Sequence, residues 1–166
     1  MKGLENQVYL IAYIISNAFA LMLLFFSWKH IKLSRLIFSI LFAWASWANW
    51  TTALNSPADY LDYFSLALIP FYRNFIEGWF SEHIQLMVGV IATSQALIAI
   101  TLLLKGWVYK IGIIGGTLFL IAIMPLGVGS AFPCTLILAI ALIMLYRDYP
   151  HFILKRKFHP GNVATH

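Results

Sequence analysis

The chain has 166 residues, of which 61% are hydrophobic and 10% are charged, and its net charge is +5. A water-soluble domain carries about 25% charged and about 45–50% apolar residues, so the composition excludes a soluble globular domain and a disordered chain. The single cysteine, Cys134, excludes a disulfide scaffold and a Cys-x-x-Cys redox pair. The apolar residues occur in blocks of about 20, which is the length that spans a bilayer. We therefore expect a polytopic membrane protein.

The apolar blocks predict five membrane-spanning helices. In chain order they cover residues 8–28, 36–54, 84–104, 111–126 and 132–146. The last two belong to one long block that Pro125, Gly127 and Gly129 interrupt, and these residue types are typical of a tight turn. A single broken helix is the alternative. The predicted fold is an all-α integral membrane protein in which residues 1–166 form a single five-transmembrane-helix bundle.

The basic residues predict how this bundle is oriented. They flank the first and third connections and recur in the tail, residues 147–166; those in the connections are Lys29, Lys32, Arg35, Lys105 and Lys110. The second connection, residues 55–83, is mainly acidic. Because basic segments stay in the cytoplasm, we expect the N-terminus and residues 55–83 outside and the C-terminus in the cytoplasm. This topology fits a cell membrane of the bacterial inner-membrane type, with the lipid bilayer as partner and no surface for nucleic acid.

The outer loop, residues 55–83, contains a predicted amphipathic helix. Pro70 suits the first turn of a helix. Apolar residues then repeat at helical spacing: Tyr72, Phe75, Ile76 and Trp79. Arg73 and Glu77 lie four residues apart on another side and are spaced to form an ion pair. This helix is either a solvated surface helix or a polar lid over a pocket.

Aromatic and amide side chains make the outer half of the second span a candidate binding wall. Trp44, Trp47 and Trp50 recur at three-residue intervals beside Asn49, and Gln95 lies in the middle of the third span. The tryptophans either pack against neighbouring helices and form an aromatic belt at the membrane interface, or line an apolar cavity. Gln95 serves either as a hydrogen-bonding link between helices or as a ligand contact. The candidate ligand-binding residues are Trp47, Asn49, Trp50, Arg73, Glu77 and Gln95.

The sequence contains no recognisable catalytic motif. No Asp, Glu, Lys, Arg or His lies in the middle of a predicted span, which argues against an ion pump or a proton relay. The dipeptide Glu82-His83 makes a poor metal-binding pair, because adjacent residues on a helix point about 100° apart. We therefore predict no catalytic residue, no metal site and no resident cofactor, while a quinone or a lipid remains a candidate ligand.

From residue 36 to residue 147 the order of features resembles the DoxX-like family of small membrane proteins. The resemblance lies in Trp44-Ala-Ser-Trp-Ala-Asn-Trp50, Pro70-Phe-Tyr-Arg73, Leu102-Leu-Leu-Lys-Gly106 and Pro125-Leu-Gly-Val-Gly129. It implies a four-helix core, to which the N-terminal span is an addition, and it brings no agreed catalytic residue. Relatives include subunits linked to quinol oxidase and thiosulfate:quinone oxidoreductase systems.

The resemblance therefore implies an accessory subunit of a membrane complex, with a membrane-protein partner or a homo-oligomeric assembly. Such a complex would be linked to quinone redox chemistry. The chain would then bind an apolar ligand such as a quinone or a lipid. The alternative function is a small membrane enzyme or carrier for a lipid-like substrate, with its site under the outer loop.

Overall fold

The computed structural model describes residues 5–148 of the chain. These residues form helices and connecting turns, with no strand in this part of the chain. Four helices are long and apolar enough to cross a membrane. The prediction of an all-helical, multi-pass membrane protein is thus confirmed. The predicted tail lies outside the described residues from residue 149 onwards.

Residues 5–148 contain seven α-helices. They are α1 (Gln7–Lys29), α2 (Ile31–Asn55), α3 (Tyr63–Leu66), α4 (Pro70–Phe75), α5 (Ile84–Leu103), α6 (Gly106–Ile123) and α7 (Cys134–Met144). Shorter 3-10 or π-helical turns lie between them or after them, at Pro57–Asp62, Ile76–Phe80, Met124–Ser130 and Leu145–Asp148. In the bundle α2 packs along α5, α6 packs on both α5 and α7, and α1 packs on α7.

The pair α2 and α5 is held at close distance by small side chains. Ser39 Oγ donates to the backbone oxygen of Ala99 at 2.7 Å, and Ser46 Oγ donates to that of Ala92 at 2.6 Å. The partner numbers fall as the α2 numbers rise, so the helices are antiparallel. The two serines are seven residues apart, which is two helical turns on one face. Small residues at this spacing let two backbones approach within reach of a hydroxyl group.

Helices α6 and α7 form an antiparallel hairpin. The turn between them includes Gly127, whose φ is +64°, and a Cβ atom there would lie 2.8 Å from the Leu66 oxygen. Near the start of α6, the Tyr109 hydroxyl donates to the Leu145 oxygen, just past the end of α7, at 2.9 Å. The predicted turn is therefore present, and the alternative of one broken helix is excluded.

Several element boundaries differ from the prediction. The predicted first loop is absent, because α1 ends at Lys29 and α2 begins at Ile31. Arg35, predicted to be a loop cation, instead lies inside α2 and is buried. The helix predicted from Pro70 does begin there, but it changes after six residues into a π-helical turn in which Gly78 has non-helical angles.

The fifth crossing stays a prediction. Helix α7 is only 11 residues long, whereas the four helices that could span a membrane are each longer. Its end nevertheless lies beside the end of α1, where Arg147 Nη2 donates to the Ser27 oxygen at 3.2 Å. The chain therefore returns at Arg147 to the end of the bundle where α1 ends and α6 begins.

Candidate functional site

Two amides and a tyrosine form a hydrogen-bonded chain between α2, α5 and residues 56–83, which we call the outer segment after their predicted location. Asn49 Nδ2 donates to Gln95 Oε1 at 2.8 Å, and the Tyr60 hydroxyl donates to Asn49 Oδ1 at 2.8 Å. Gln95 is only 3% exposed. The structure thus brings together two of the predicted site residues and adds Tyr60, which the sequence analysis missed. The predicted interhelical hydrogen bond of Gln95 is present.

Burial changes the acidity of two tyrosines in the outer segment. It is the main reason that the pKa values of the Tyr60 and Tyr63 hydroxyls lie above the usual 10.0. Asp59 near Tyr60 and Asp62 near Tyr63 raise these pKa values further. Tyr60 is therefore a neutral donor at physiological pH, as its hydrogen bond to Asn49 requires.

The three tryptophans of α2 have different surroundings. Trp50 is 41% exposed and lies against α5, where a Cβ atom at Gly89 would be 3.1 Å from its ring. Trp44 is 61% and Trp47 is 66% exposed, so both point away from the bundle. Trp50 also lines a cavity beside α5.

Within residues 5–148, neither Arg73 nor Glu77 forms a hydrogen bond or an ion pair with Asn49 or Gln95. Arg73 Nε donates to the Ala67 oxygen within the outer segment at 2.9 Å, and Glu77 is exposed. The expected Arg73–Glu77 ion pair does not form, because the guanidinium holds the backbone at Ala67 instead.

The outer segment covers the end of the bundle rather than lying apart from it. The backbone N–H of Leu68 donates to the Pro125 oxygen at 2.9 Å, and the Tyr72 hydroxyl donates to the Ala122 oxygen. An apolar cluster lies beneath the segment and includes Ile76, Phe80 and Val88. The segment is therefore anchored on α5 and α6 at one end of the bundle, and we call it the lid for this position.

At the opposite end of the bundle Arg35 is almost completely buried, with 1% of its surface exposed. Its Nε and Nη2 atoms donate to the Leu102 oxygen at 3.2 and 2.9 Å, and Nη2 also donates to the Leu104 oxygen at 2.8 Å. The guanidinium carbon lies 4.0 Å from the centre of the Tyr109 ring. Arg35 thus satisfies carbonyl groups at the end of α5, which a helix leaves without partners.

Two open cavities lie along the N-terminal half of α5, and each has a volume of about 400 Å³. The first is bordered by Trp50, Gly89, Val90 and Ser94, and the second by Pro57, Glu82 and His83. Gln85 and Leu86 line both cavities. We call this combined feature the α5 groove.

The described residues contain no group of three or more His, Cys, Asp or Glu side chains placed to hold a metal ion. Comparisons of the chain with protein-family profiles, curated proteins and solved structures find no match. What the structure itself defines is a helical bundle, with four helices in residues 5–148 long and apolar enough to cross a membrane, a lid over one end and an amide pair linking α2 to α5.

Proposed function

We propose that the protein is a non-catalytic, DoxX-like accessory subunit that binds another integral membrane protein through the outward face of α2. The observation that carries this proposal is a row of exposed apolar side chains, the tryptophan stripe: Ile40, Trp44, Trp47 and Leu54. Their spacing of four, three and seven residues places them on one face of the helix.

The depth of the stripe favours a protein partner over lipid contact. Trp44 lies 11 residues before the end of α2 at Asn55, which is about 17 Å along the helix axis and close to the middle of the span. Tryptophan prefers the membrane–water interface, so an exposed ring at this depth is unusual. Tryptophan is also among the residues that contribute most to protein–protein binding.

The polar groups on the inner face of α2 support a structural role. Arg35, Ser39, Ser46 and Asn49 all donate hydrogen bonds to groups of α5 or of the residues just after it. These donors hold the bundle together. The DoxX-like resemblance adds that the partner complex would be linked to quinone redox chemistry.

The charges support five crossings, with the end of α7 in the cytoplasm of a cell with a bacterial type of inner membrane. The end of the bundle where α1, α5 and α7 end carries six basic residues in the described chain: Lys29, Lys32, Arg35, Lys105, Lys110 and Arg147. The other end carries one, Arg73, with the acidic residues Glu5, Asp59, Asp62, Glu77 and Glu82. The basic end belongs in the cytoplasm.

Site-specific photocross-linking in native membranes tests the proposed interface. A photoreactive phenylalanine analogue replaces Trp44 or Trp47 in separate variants, and a third variant carries it at Leu118 of α6, which is equally exposed. We expect one discrete protein adduct from positions 44 and 47 and none from position 118.

Two results contradict the proposal. Equal labelling of lipid at all three positions with no protein adduct would show that the stripe faces only the bilayer. An adduct of twice the mass of the chain at positions 44 and 47 would show self-association instead of binding to a different subunit.

A further inference from the structure

The α5 groove has the length of one lipid chain. It runs from Glu82, just before α5, to Ser94 in the middle of that helix. Twelve residues cover about 18 Å of helix axis, and half of the hydrocarbon core of a bilayer is about 15 Å thick. The groove therefore crosses one leaflet, from the outer end of the bundle to its middle.

The deep part of the groove is suited to an apolar chain. The hydroxyls of Thr93 and Ser94 donate to the Gly89 and Val90 oxygens of their own helix, both at 2.8 Å. These groups are already satisfied, so they do not require a polar ligand. The ring of Trp50 forms the side wall, and the absence of a side chain at Gly89 lets it lie close to α5.

The shallow part of the groove is suited to a charged head group. Glu82 is exposed and makes no ion pair within residues 5–148. The imidazole of its neighbour His83 is held in place, stacked on Trp79 with ring centres 4.4 Å apart and with Nδ1 2.9 Å from the Trp79 oxygen. The Glu82 carboxylate is therefore the free charge at this end, and it complements a cation.

A phosphate group would also be accommodated beside that carboxylate. Helix α5 begins at Ile84 without a side-chain cap, and its first residues, Ile84, Gln85 and Leu86, line the shallow cavity, so the N–H groups at the start of this helix have no side-chain acceptor. Such N–H groups favour anions. A head group that joins a phosphate to an ammonium matches both charges.

We propose that the α5 groove binds one membrane phospholipid with a primary ammonium head group, of the phosphatidylethanolamine type. Its ammonium pairs with Glu82 and one acyl chain lies along Val90 against Trp50. A choline head group has no N–H donor for Glu82, and a glycerol head group has no cation. This inference rests on the membrane placement of α2 and α5 but not on the partner proposed for the tryptophan stripe.

Native mass spectrometry of the purified full chain tests this inference. Phosphatidylethanolamine, phosphatidylcholine and phosphatidylglycerol with identical acyl chains are added one at a time. Glu82→Gln removes the charge, and Glu77→Gln removes a nearby exposed charge that does not line the groove. Val90→Trp fills the deep part, and Leu118→Trp places the same ring on the lipid-facing side of α6.

We expect the unmodified chain to retain phosphatidylethanolamine roughly two- to fivefold better than the other lipids, which is the weight of an exposed ion pair. Glu82→Gln should abolish this preference, and Val90→Trp should reduce retention of all three lipids. Glu77→Gln and Leu118→Trp should change neither. Equal retention of the three lipids by the unmodified chain, or equal effects of Glu77→Gln and Glu82→Gln, would overturn the inference even if the cross-linked partner of α2 is found.

Discussion

Arg35 joins three helices at the basic end of the bundle. It lies on α2, donates to carbonyl groups at the end of α5, and stacks on Tyr109 of α6. Tyr109 in turn donates to the Leu145 oxygen just past α7. A buried guanidinium is stable only when such acceptors surround it, so this side chain fixes the relative positions of the helix ends.

Replacing Arg35 should therefore destabilise the bundle. Arg35→Met keeps much of the apolar bulk but leaves carbonyl groups without donors, and we expect a loss of about 1.5–3 kcal/mol in unfolding free energy. Lys32→Met is the control, since Lys32 is an exposed cation at the same end and should cost less than about 0.5 kcal/mol. Denaturant titration of both variants in detergent measures the difference, and equal stabilities would contradict this account of Arg35.

Tyr60 and Tyr63 predict how the lid responds to alkaline pH. Burial raises both pKa values above 10.0, so the folded lid prefers the neutral hydroxyls more than the unfolded chain does. Their contribution to stability is full below pH 10 and is lost as the pH rises through the folded-state pKa values. Titration by tyrosinate absorbance should show a component that ionises above pH 10, and Tyr60→Phe should reduce that component. Ionisation of both at the usual pKa would contradict the buried arrangement.

Single residues were only partly predictable from the sequence. Gln95 stood out because an amide in an apolar span needs a hydrogen-bonding partner, and Asn49 is that partner. The sequence predicts Arg35 to be a loop cation, because Arg35 directly precedes the apolar block. The missed signal is spacing: Arg35, Ser39 and Ser46 follow one another at four and seven residues, so they share a helix face.

The α2–α5 pair is the element on which the bundle depends most. Its serine hydrogen bonds span the two backbones directly, which leaves no room for a larger side chain. Periodicity could predict both helices but not their close approach, because serine also occurs on exposed helix faces in this chain. Ser94, for example, is exposed and donates within its own helix.

Enlarging a side chain between α2 and α5 should separate them. Ser46→Leu adds bulk where the hydroxyl is 2.6 Å from the Ala92 oxygen, and we expect a loss of roughly 1–3 kcal/mol. Ser94→Leu makes the same chemical change on the exposed side and should be close to neutral. Thermal unfolding of the two variants compares them. If the Ser46→Leu variant were as stable as the Ser94→Leu variant, the close packing of α2 against α5 would be refuted.

The turn before α7 depends on one glycine. Gly127 has a φ of +64° and faces the Leu66 oxygen, so Gly127→Ala should cost about 1–3 kcal/mol in backbone strain alone. Gly115→Ala is the control, because Gly115 lies inside α6 and a Cβ atom there would make only an ordinary contact, 3.8 Å from the Ile98 side chain. Urea unfolding should show a lower midpoint for Gly127→Ala only.

In the outer segment, local sequence patterns predict where a helix begins but not how it continues. Proline at position 70 correctly marked a helix start. The change to a π-helical turn at Ile76 depends on how Ile76 and Phe80 are buried against α5, which no local pattern records. The four-residue spacing of Arg73 and Glu77 predicts an ion pair along one helix. In the folded chain the Arg73 guanidinium donates to the Ala67 oxygen instead.

The whole molecule has opposite charges at its two ends. Lys29 and Lys110 lie over the rings of Trp28 and Trp107, at 4.7 and 5.1 Å, so aromatic and basic groups meet at one end as they do at a membrane interface. The lid and five of the six acidic residues, all except Asp148, occupy the other end. This charge distribution favours the orientation that we propose, in which the lid and the mouth of the α5 groove lie outside.

The central claim is that α7 completes a fifth crossing, so that residues 5 and 148 face opposite sides of the membrane. Single cysteines at Glu5, Asp59, Lys32 and Asp148, in a background in which the buried Cys134 is alanine, test it with a membrane-impermeant maleimide on intact cells. We predict that positions 5 and 59 react on intact cells, and that positions 32 and 148 react only after the membrane is opened. Reaction of position 148 together with position 5 on intact cells would contradict the claim.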